Sequence, residues 1–277
     1  MRTVRLPQLQ NVNTNNRASL RLPLGVVYEK LYFLLGTNIT KALISNIVLR
    51  INNKEFMRWN TAAHLEFLNA YKVNNTGNAS VLVIDFTERL AKEEVGMKLG
   101  TIAATQEAGV QEITLEFDLG TYAQVAASTI VAFADVEAPS ANSVVQRVQV
   151  QQKVFAAAAE EQIYLPFGRN GYQLKRILLV GALIDFVRVR RDGVDVFESL
   201  PAALNSARQT DFARVPQAGT YMVDFMPDSL QSNAFNTAFV RGAQGPVPVE
   251  NLDIRISTTG ATTVTVYAES YSLNSQL

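Results

Sequence analysis

The chain contains 277 residues, of which 48% are apolar and 18% are charged, and its 25 basic residues balance its 25 acidic ones. This composition is typical of a folded protein with a large core and argues against an intrinsically disordered chain. Because the charges cancel, no basic field indicates a specific nucleic-acid partner. Cysteine is absent, which excludes disulfides and cysteine-ligated metal sites.

No segment predicts export or membrane insertion. Residues 1–5 do not lead into the continuous apolar block of a signal peptide. The longest apolar run, Ile177 to Ile184, is far shorter than the roughly eighteen residues that a spanning helix needs. We therefore expect a soluble chain.

The first half of the chain predicts a series of short strands. Val4 and Leu6 alternate with polar residues in an edge strand, and an Asn-rich turn over 11–16 leads into a strand that Pro23 should end. Further strands are predicted over residues 30–35, 47–51, 81–86, 113–117 and 129–134. Both faces of 81–86 are apolar apart from Asp85, so we place this strand centrally in its sheet.

The second half repeats this plan. Val148 and Val150 alternate with glutamines in its opening strand. Its other predicted strands end at Ile163 or cover residues 177–180, 187–189, 223–225, 252–256 and 264–268. Each half thus holds about seven or eight strands.

Two pairs of turn residues predict tight hairpins, and a short helix is predicted after each hairpin. Asn52 with Asn53 tolerates positive φ, and Asp192 with Gly193 is the strongest hairpin signal in the chain. The predicted helices are capped at Asn60 or Thr61, with Leu65, Leu68 and Tyr71 at helical spacing, and near Ser199, with Pro201, Ala202 and Ala203 following.

A repeated sequence motif is the strongest evidence that the two halves of the chain are related. A Leu-Pro-x-Gly stretch ending at Gly25 recurs at Gly168, 143 positions later, and each is followed by a tyrosine, Tyr28 or Tyr172. Further matches at offsets of 139 or 140 pair Ile47 with Val187, Leu49 with Val189, Asn52 with Asp192, Asn53 with Gly193, Asp85 with Asp224, Phe86 with Phe225, Ile113 with Leu252, Leu115 with Ile254, and Phe117 with Ile256. We therefore predict a tandem duplication of a unit of about 140 residues.

Many short strands with hairpin turns in each half predict an all-β protein, a tandem duplicated β-sandwich with a few short helices. A double jelly roll is the leading version. An immunoglobulin-like sandwich is the rival, although its unit is nearer to about 100 residues. We place the first domain at 1–138, the second at 144–277, and a short linker at 139–143.

Catalytic candidates are few, and we expect no enzyme. His64 is the only histidine, so a Ser-His-Asp arrangement or a histidine metal site would depend on it. Its predicted helix position beside Glu66 favours a solvated or hydrogen-bonded residue. Asp85 and Asp224 could form a carboxylate pair for glycoside hydrolysis. Because they occupy equivalent positions in two repeats, we expect each to cap a local turn, and we assign no catalytic residue.

Metal and charge candidates lie at the second predicted hairpin. Asp192 with Asp195 could contribute oxygen ligands to calcium, although a solvated Asp-Gly turn is the favoured interpretation. Arg188, Arg190 and Arg191 form the densest basic cluster, with the first two on one strand face. That face could meet a neighbouring subunit or a membrane surface, but we favour a solvated face.

Aromatic and Asn-rich features have competing interpretations. Tyr28, Trp59 and Tyr172 could form a sugar-stacking platform, but core or interface packing is favoured. Three stretches match the glycosylation pattern, which we interpret as coincidence in an Asn-rich chain: Asn38 with Thr40, Asn74 with Thr76, and Asn78 with Ser80.

Short runs in both halves resemble one protein family, the major capsid proteins of corticovirus-type phages, which are tailless icosahedral phages with an internal membrane. The runs that carry the resemblance are Asn11 and Val12; Leu22, Pro23, Gly25, Tyr28 and Glu29; and Val223, Asp224, Phe225 and Met226. The resemblance covers both halves of the chain, and its local motifs are short.

The resemblance implies a double jelly roll and a role in assembly. Three chains would form a homotrimer with a nearly six-sided outline, which tiles an icosahedral shell over an internal membrane. The implied partners are neighbouring trimers and other virion proteins at the vertices or the membrane, and the implied location is the virion after synthesis in the host cytoplasm. Arg2, Arg5, Arg17 and Arg21 could then face the shell interior.

The resemblance also allows structural calcium at capsid contacts, without assigning residues to it, and no other cofactor is evident. A two-domain carbohydrate-binding module, or another β-sandwich binding module, remains the alternative function.

Overall fold

A computed structural model describes residues 2–73, 78–165, 173–197, 200–240, 246–248 and 252–277. The chain divides into two compact units, Met1–Val148 with Leu273–Ser275 and Leu277, and Gln149–Ser272 with Gln276. Among the described residues, no helix is both long and apolar enough to cross a membrane.

The first unit contains two antiparallel sheets. Its strands are β1 (Arg2–Arg5), β2 (Arg17–Arg21), β3 (Val26–Leu35), β4 (Ile44–Ile51), β5 (Lys54–Thr61), β6 (Val81–Asp85), β7 (Ile102–Ala104), β8 (Ile113–Leu119) and β9 (Ile130–Glu137). One sheet has the order β1-β9-β3-β6, with β7 also paired to β3, and the other has the order β2-β8-β4-β5. Helix α1 (Ala62–Tyr71) links β5 to β6, and α2 (Glu94–Lys98) precedes β7.

The second unit has the same plan. Its strands are β10 (Val144–Phe155, which begins in the first unit), β11 (Ala159–Ile163), β12 (Gln173–Val180), β13 (Ile184–Arg191), β14 (Val194–Phe197), β15 (Thr220–Asp224), β16 (Phe235–Asn236), β17 (Ala238–Val240), β18 (Pro246–Pro248), β19 (Leu252–Thr258) and β20 (Thr262–Leu273). Its sheets have the orders β10-β20-β12-β15 and β11-β19-β13-β14, and β16 pairs with β12. Helix α3 (Ala202–Asp211) links β14 to β15.

The strand order defines the fold of each unit. Leaving aside β7 and β16 to β18, the described residues of each unit form eight strands, with the first, eighth, third and sixth in one sheet and the second, seventh, fourth and fifth in the other. This is the connectivity of a jelly roll, and it differs from the immunoglobulin sheets. The predicted fold class is confirmed, and the immunoglobulin-like rival is excluded.

The core of each unit lies between its two sheets, because alternate residues of each strand point inward. In the first unit Phe33 of β3 meets Phe117 of β8 edge to face, with ring centroids 6.0 Å apart. In the second unit the buried cluster includes Leu174, Ile177 and Val189.

The two hairpins and the two helices that follow them are confirmed, but α3 has Pro201 at its N-cap and no side-chain cap. Asn52 and Asn53 adopt φ values of 51° and 65°, and Asp192 and Gly193 adopt 50° and 83°, as a tight hairpin with two left-handed residues requires. Thr61 caps α1, because its hydroxyl accepts a hydrogen bond from the backbone N–H of the third residue beyond it.

The central placement of residues 81–86 was wrong. Strand β6 lies at the edge of its sheet. It is nevertheless buried because α1 covers it, and Asn69 on α1 donates a hydrogen bond of 2.9 Å to the carbonyl of Val83. Burial on both faces therefore indicated a covered edge instead of a central strand.

The structure describes only the first copy of the repeated Leu-Pro-x-Gly motif. Gly25 has a φ of 92°, a conformation that favours glycine, and Pro23 lies beyond the end of β2, as predicted. Pro166, Gly168 and Tyr172 lie outside the described residues, and so does Ser199. The strand register places Leu174, not Tyr172, at the position equivalent to Tyr28, because each pairs with the eighth strand immediately before the same register shift.

Candidate functional site

Both units contain a β-bulge beside paired charges, and sequence reasoning missed this feature. The pairing of the third strand with the eighth shifts register at Glu29 in the first unit and at Lys175 in the second. A cation follows each bulge, Lys30 or Arg176. A bulge inserts one unpaired residue and locally re-aims the side chains around it.

The cation after each bulge lies opposite two carboxylates. Lys30 is in register with Asp85 and Asp135, and Arg176 is in register with Asp224 and Glu269, which occupy the equivalent positions of the sixth and eighth strands. In both units the cation directly follows the bulged residue in the sequence. This adjacency identifies the arrangement only once the pairing of the strands is known.

In the first unit the sixth-strand carboxylate is fully engaged. Asp85 Oδ2 lies 2.8 Å from Lys30 Nζ, and its Oδ1 accepts hydrogen bonds from the backbone N–H and the hydroxyl of Thr87 at 2.8 and 2.7 Å. The eighth-strand carboxylate, Asp135, accepts from the hydroxyls of Thr3 and Tyr32 at 2.6 Å each. Together these bonds connect all four strands of the β1-β9-β3-β6 sheet.

The bulged Glu29 belongs to a group of carboxylates around Lys98. Lys98 Nζ lies 2.5 Å from Glu137, 2.7 Å from Glu94 and 3.7 Å from Glu29. Burial, and then the neighbouring Glu137, raises the pKa of Glu29, whereas the hydrogen bond from Lys98 lowers the pKa of Glu137. Glu29 is therefore the first carboxyl of this pair to take up a proton as the pH falls.

The second unit has a more deeply buried version. Arg176 lies 3.1 Å from Asp224 through Nε and 2.9 Å from Glu269 through a terminal nitrogen. Lys175 Nζ lies 3.0 Å from Glu269, and Arg214 Nε lies 3.7 Å from Asp224. Asp224 also accepts a backbone hydrogen bond of 2.9 Å two residues along the chain. These partners satisfy charges that would otherwise be costly to bury.

Asp85 and Asp224 therefore act as local caps and ion-pair partners. Each accepts a hydrogen bond from the backbone N–H two residues later, which confirms the predicted turn-capping role. Each is also held by a cation of its own unit. The arrangement braces strands, and it gives neither carboxylate the free position that a general acid or base requires.

In each unit, side-chain amides of a helix donate hydrogen bonds to the sixth strand, which lies at the edge of its sheet. Asn69 on α1 donates to the carbonyl of Val83, and Asn205 and Gln209 on α3 both donate to the carbonyl of Met222 at 2.8 and 2.7 Å. An edge strand has carbonyls without a strand partner, and these amides satisfy one of them.

The aromatic and histidine candidates lie in packed positions. Tyr28 is buried, and its hydroxyl donates to the carbonyl of Pro23 at 2.6 Å. Trp59 is also buried, so neither side chain offers a face to a sugar. His64 is half-buried on α1, its ring stacks on Phe67 at 6.1 Å, and burial lowers its pKa. The packing interpretation is confirmed for Tyr28 and Trp59.

The calcium and arginine candidates pair with each other. Arg190 Nε donates to Asp195 at 2.5 Å, and Arg188 pairs with Glu160. Asp192 lies in the hairpin turn. Within the described ranges, no group of three or more histidine and acidic side chains is placed to hold a metal ion. Asp195 is thus engaged by a guanidinium, and we assign no residue to calcium.

The N-terminal arginines and the Asn-rich motifs are surface features. Arg17 lies 3.1 Å from Glu116 and Arg21 lies 3.3 Å from Glu112, while Arg2 and Arg5 are exposed. Of the motif asparagines, Asn38 donates to the carbonyl of Ala123 and Asn78 accepts from the backbone N–H of Ser80; Asn74 and Thr76 lie outside the described residues.

These observations define a structural protein of the double jelly-roll class, in which the repeated charged residues brace strands. Residues 3–137 match the viral coat protein P2 N-terminal domain, and residues 145–274 match the viral coat protein P2 C-terminal domain. The chain therefore belongs to the viral coat protein P2 family, and its place is the virion capsid. This confirms the resemblance found in the sequence.

Solved structures show the same fold. The major capsid protein P2 from bacteriophage PM2 is 19% identical with a TM-score of 0.82, over 98% of this chain and 97% of that chain. The STIV MCP is 13% identical with a TM-score of 0.66, over 98% and 96%. A structure of Sulfolobus turreted icosahedral virus is 12% identical with a TM-score of 0.63, over 98% and 90%. No curated protein sequence matches significantly.

Proposed function

We propose that this coat protein is the major capsid protein of an icosahedral virion and that its building block is a homotrimer. The observation that carries the proposal is the duplication: one chain holds two jelly rolls with the same strand order and the same braced bulge. Three such chains supply six similar domains, and six similar domains can close into a ring with a nearly hexagonal outline. Such an outline tiles a shell.

The proposed partners follow from this building block. Each trimer meets neighbouring trimers across smaller, repeated contacts, while the contact within the trimer is larger and more apolar. Other virion proteins occupy the vertices and the membrane, and the shell encloses an internal membrane, as the family resemblance implies. The similarity to the major capsid protein P2 from bacteriophage PM2 over nearly the whole chain supports this assignment.

We also propose that the domains extend over 1–138 and 144–277, joined by a linker at 139–143. Two observations support these limits. Residues 139–143 contain no helix or strand, and the two family domains match up to residue 137 and from residue 145. Because Pro139, Ala141 and Ser143 are exposed, limited proteolysis should cut within 139–143.

Solution mass tests the assembly proposal. Sedimentation velocity of the purified chain should give a species of three times the 30.5 kDa chain mass, which associates further into flat or curved arrays. A chain that stays monomeric at every concentration and binds glycans would instead support the sandwich binding module and reject the trimer.

A further inference from the structure

The segment that follows the last strand belongs to the first unit. Strand β20 ends at Leu273, and Asn274 and Leu277 both cluster with the first unit. We call residues 274–277 the strap. A hydrogen bond holds its far end, because Lys54 Nζ donates to the main-chain oxygen of Leu277 at 2.5 Å.

Asn274 holds the near end of the strap at two points. Its backbone N–H donates to the carbonyl of Ser143 at 2.7 Å, and its side-chain amide donates to the carbonyl of Ala108 at 2.9 Å. Ser143 is the last residue of the proposed linker, and Ala108 lies in a turn over residues 105–109. One asparagine therefore bonds to the linker and to this turn at the same time.

The linker is also bonded to the segment that contains this turn. The Thr105 hydroxyl donates to the carbonyl of Ser140 at 2.8 Å, and the side-chain amide of Asn142 donates to the carbonyl of Leu99 at 3.2 Å. Ser140 and Asn142 are half-buried, whereas the other linker residues are exposed. The linker is thus attached to residues 99–105 on one side and to the strap on the other.

The turn is a rigid support for these bonds. The backbone N–H of Val110 donates to the carbonyl of Thr105 at 3.0 Å. Asn52 of the first hairpin adds two side-chain bonds, donating to the carbonyl of Gly109 at 2.8 Å and accepting from the backbone N–H of Gln111 at 2.8 Å. Because the turn is already ordered, the strap docks on it without the cost of ordering a second flexible segment.

We propose that the strap is a latch that locks the linker onto the first unit. While the strap is docked, the linker is bonded on two sides, and a protease cannot bind it in the extended conformation that cleavage requires. A short segment held by a few hydrogen bonds opens far more readily than a whole unit. When the strap opens, the linker loses its bond at Ser143 and becomes accessible to the protease. This inference rests on the proposed linker and is independent of the homotrimer.

Limited proteolysis of the purified chain at one fixed concentration tests the latch. Deleting residues 274–277 should raise the rate of cutting within 139–143 roughly tenfold or more, because proteolysis follows the population of the opened segment. Asn274→Ala should raise it by a smaller factor, because the variant keeps the backbone N–H. Ser275→Ala is the matched control at an exposed neighbouring position and should leave the rate unchanged. The latch is rejected if the deletion does not change this rate, or if it speeds cutting equally throughout the chain.

A second measurement needs no variant. Hydrogen exchange resolved to single amides should show the Asn274 N–H protected roughly a hundredfold or more relative to an unstructured peptide, although this residue lies beyond the last strand. An unprotected Asn274 amide in the folded chain would overturn the latch and leave the homotrimer untouched. A protected Asn274 in a chain that never trimerises would reject the proposed assembly and keep the latch.

Discussion

The two jelly rolls keep the same braced bulge but build it from different charges. The bulged residue is acidic in the first unit, Glu29, and basic in the second, Lys175. The cation that follows is 17% exposed as Lys30 and fully buried as Arg176. Both units therefore retain the backbone geometry of the bulge, whereas the charge of the bulged side chain differs in sign between them.

The helices show the same division. Helix α1 buries the apolar side chains Leu65 and Leu68, whereas α3 buries Asn205 and Gln209 and leaves Leu204 exposed. Both helices nevertheless donate amide hydrogen bonds to one carbonyl of the edge strand. The attachment to the edge strand is thus the shared element, and the apolar packing of the helix is the variable one.

The largest expected effect comes from breaking the buried cluster of the second unit. Arg176→Met leaves Asp224 and Glu269 without their shared guanidinium and should lower the free energy of unfolding by about 3 to 5 kcal/mol. Lys30→Met should lower it by about half of that or less, because water reaches Lys30 and Thr87 still bonds to Asp85. Urea unfolding at a matched oligomeric state measures both variants.

A charge-conserving replacement serves as the control for this comparison. Arg176→Lys keeps a cation beside Asp224 and Glu269 and should therefore lose less stability than Arg176→Met. Equal losses for Arg176→Met and Lys30→Met would contradict the difference in burial between the two clusters.

The helix amides should give the next largest effect. Asn69→Leu leaves the carbonyl of Val83 without its donor and should destabilise the chain by about 1 to 3 kcal/mol. Gln209→Leu should have a smaller effect, because Asn205 still donates to the carbonyl of Met222. Urea unfolding again gives the magnitudes, and a larger loss for Gln209→Leu than for Asn69→Leu would reject shared donation in the second unit.

The second residue of each hairpin turn allows the two units to be compared at a single backbone position. Gly193 has a φ of 83°, and Asn53 occupies the equivalent position at 65°. Gly193→Val should therefore lower the free energy of unfolding by about 1 to 2 kcal/mol, because a β-branched residue is strained in the left-handed region. Gly193→Asn should change it by about 0.5 kcal/mol or less, because asparagine tolerates this region. Thermal unfolding separates the two, and similar losses would contradict the equivalence of the turns.

The smallest expected effect is a pH-dependent gain at the first bulge. Burial raises the folded-state pKa of Glu29 above its ordinary value of 4.5, so its contribution to stability is present below that value and is lost as the pH rises through the folded-state pKa. Glu29→Gln should therefore raise the unfolding free energy at pH 7, and the gain should shrink toward pH 4.5. Urea unfolding at several pH values measures this trend.

Glu94→Gln is the control for that measurement. Glu94 bonds to the same Lys98 but is largely exposed, so its replacement should have little effect at either pH. A Glu29→Gln chain that is less stable than the unmodified chain at pH 7 would show that attraction to Lys98 outweighs burial.

The sequence by itself determined the fold class, the duplication and the turns. Period-two alternation reports which residues face a core, and pairs such as Asp192 with Gly193 report backbone conformations that few other residues adopt. Both signals are local, so they survive without knowledge of strand pairing. The capping role of Asp85 and Asp224 followed from the duplication, which places them at equivalent positions of two units, and each bonds to the backbone two residues away.

Only the tertiary structure shows which strands lie next to one another. The apolar pattern of β6 fits a central strand and a covered edge equally well, and α1 distinguishes them. The braced bulges join residues more than forty positions apart, such as Arg176 with Asp224 and Glu269. Each of these depends on which strands lie side by side, and alternation within one strand carries no information about its neighbour.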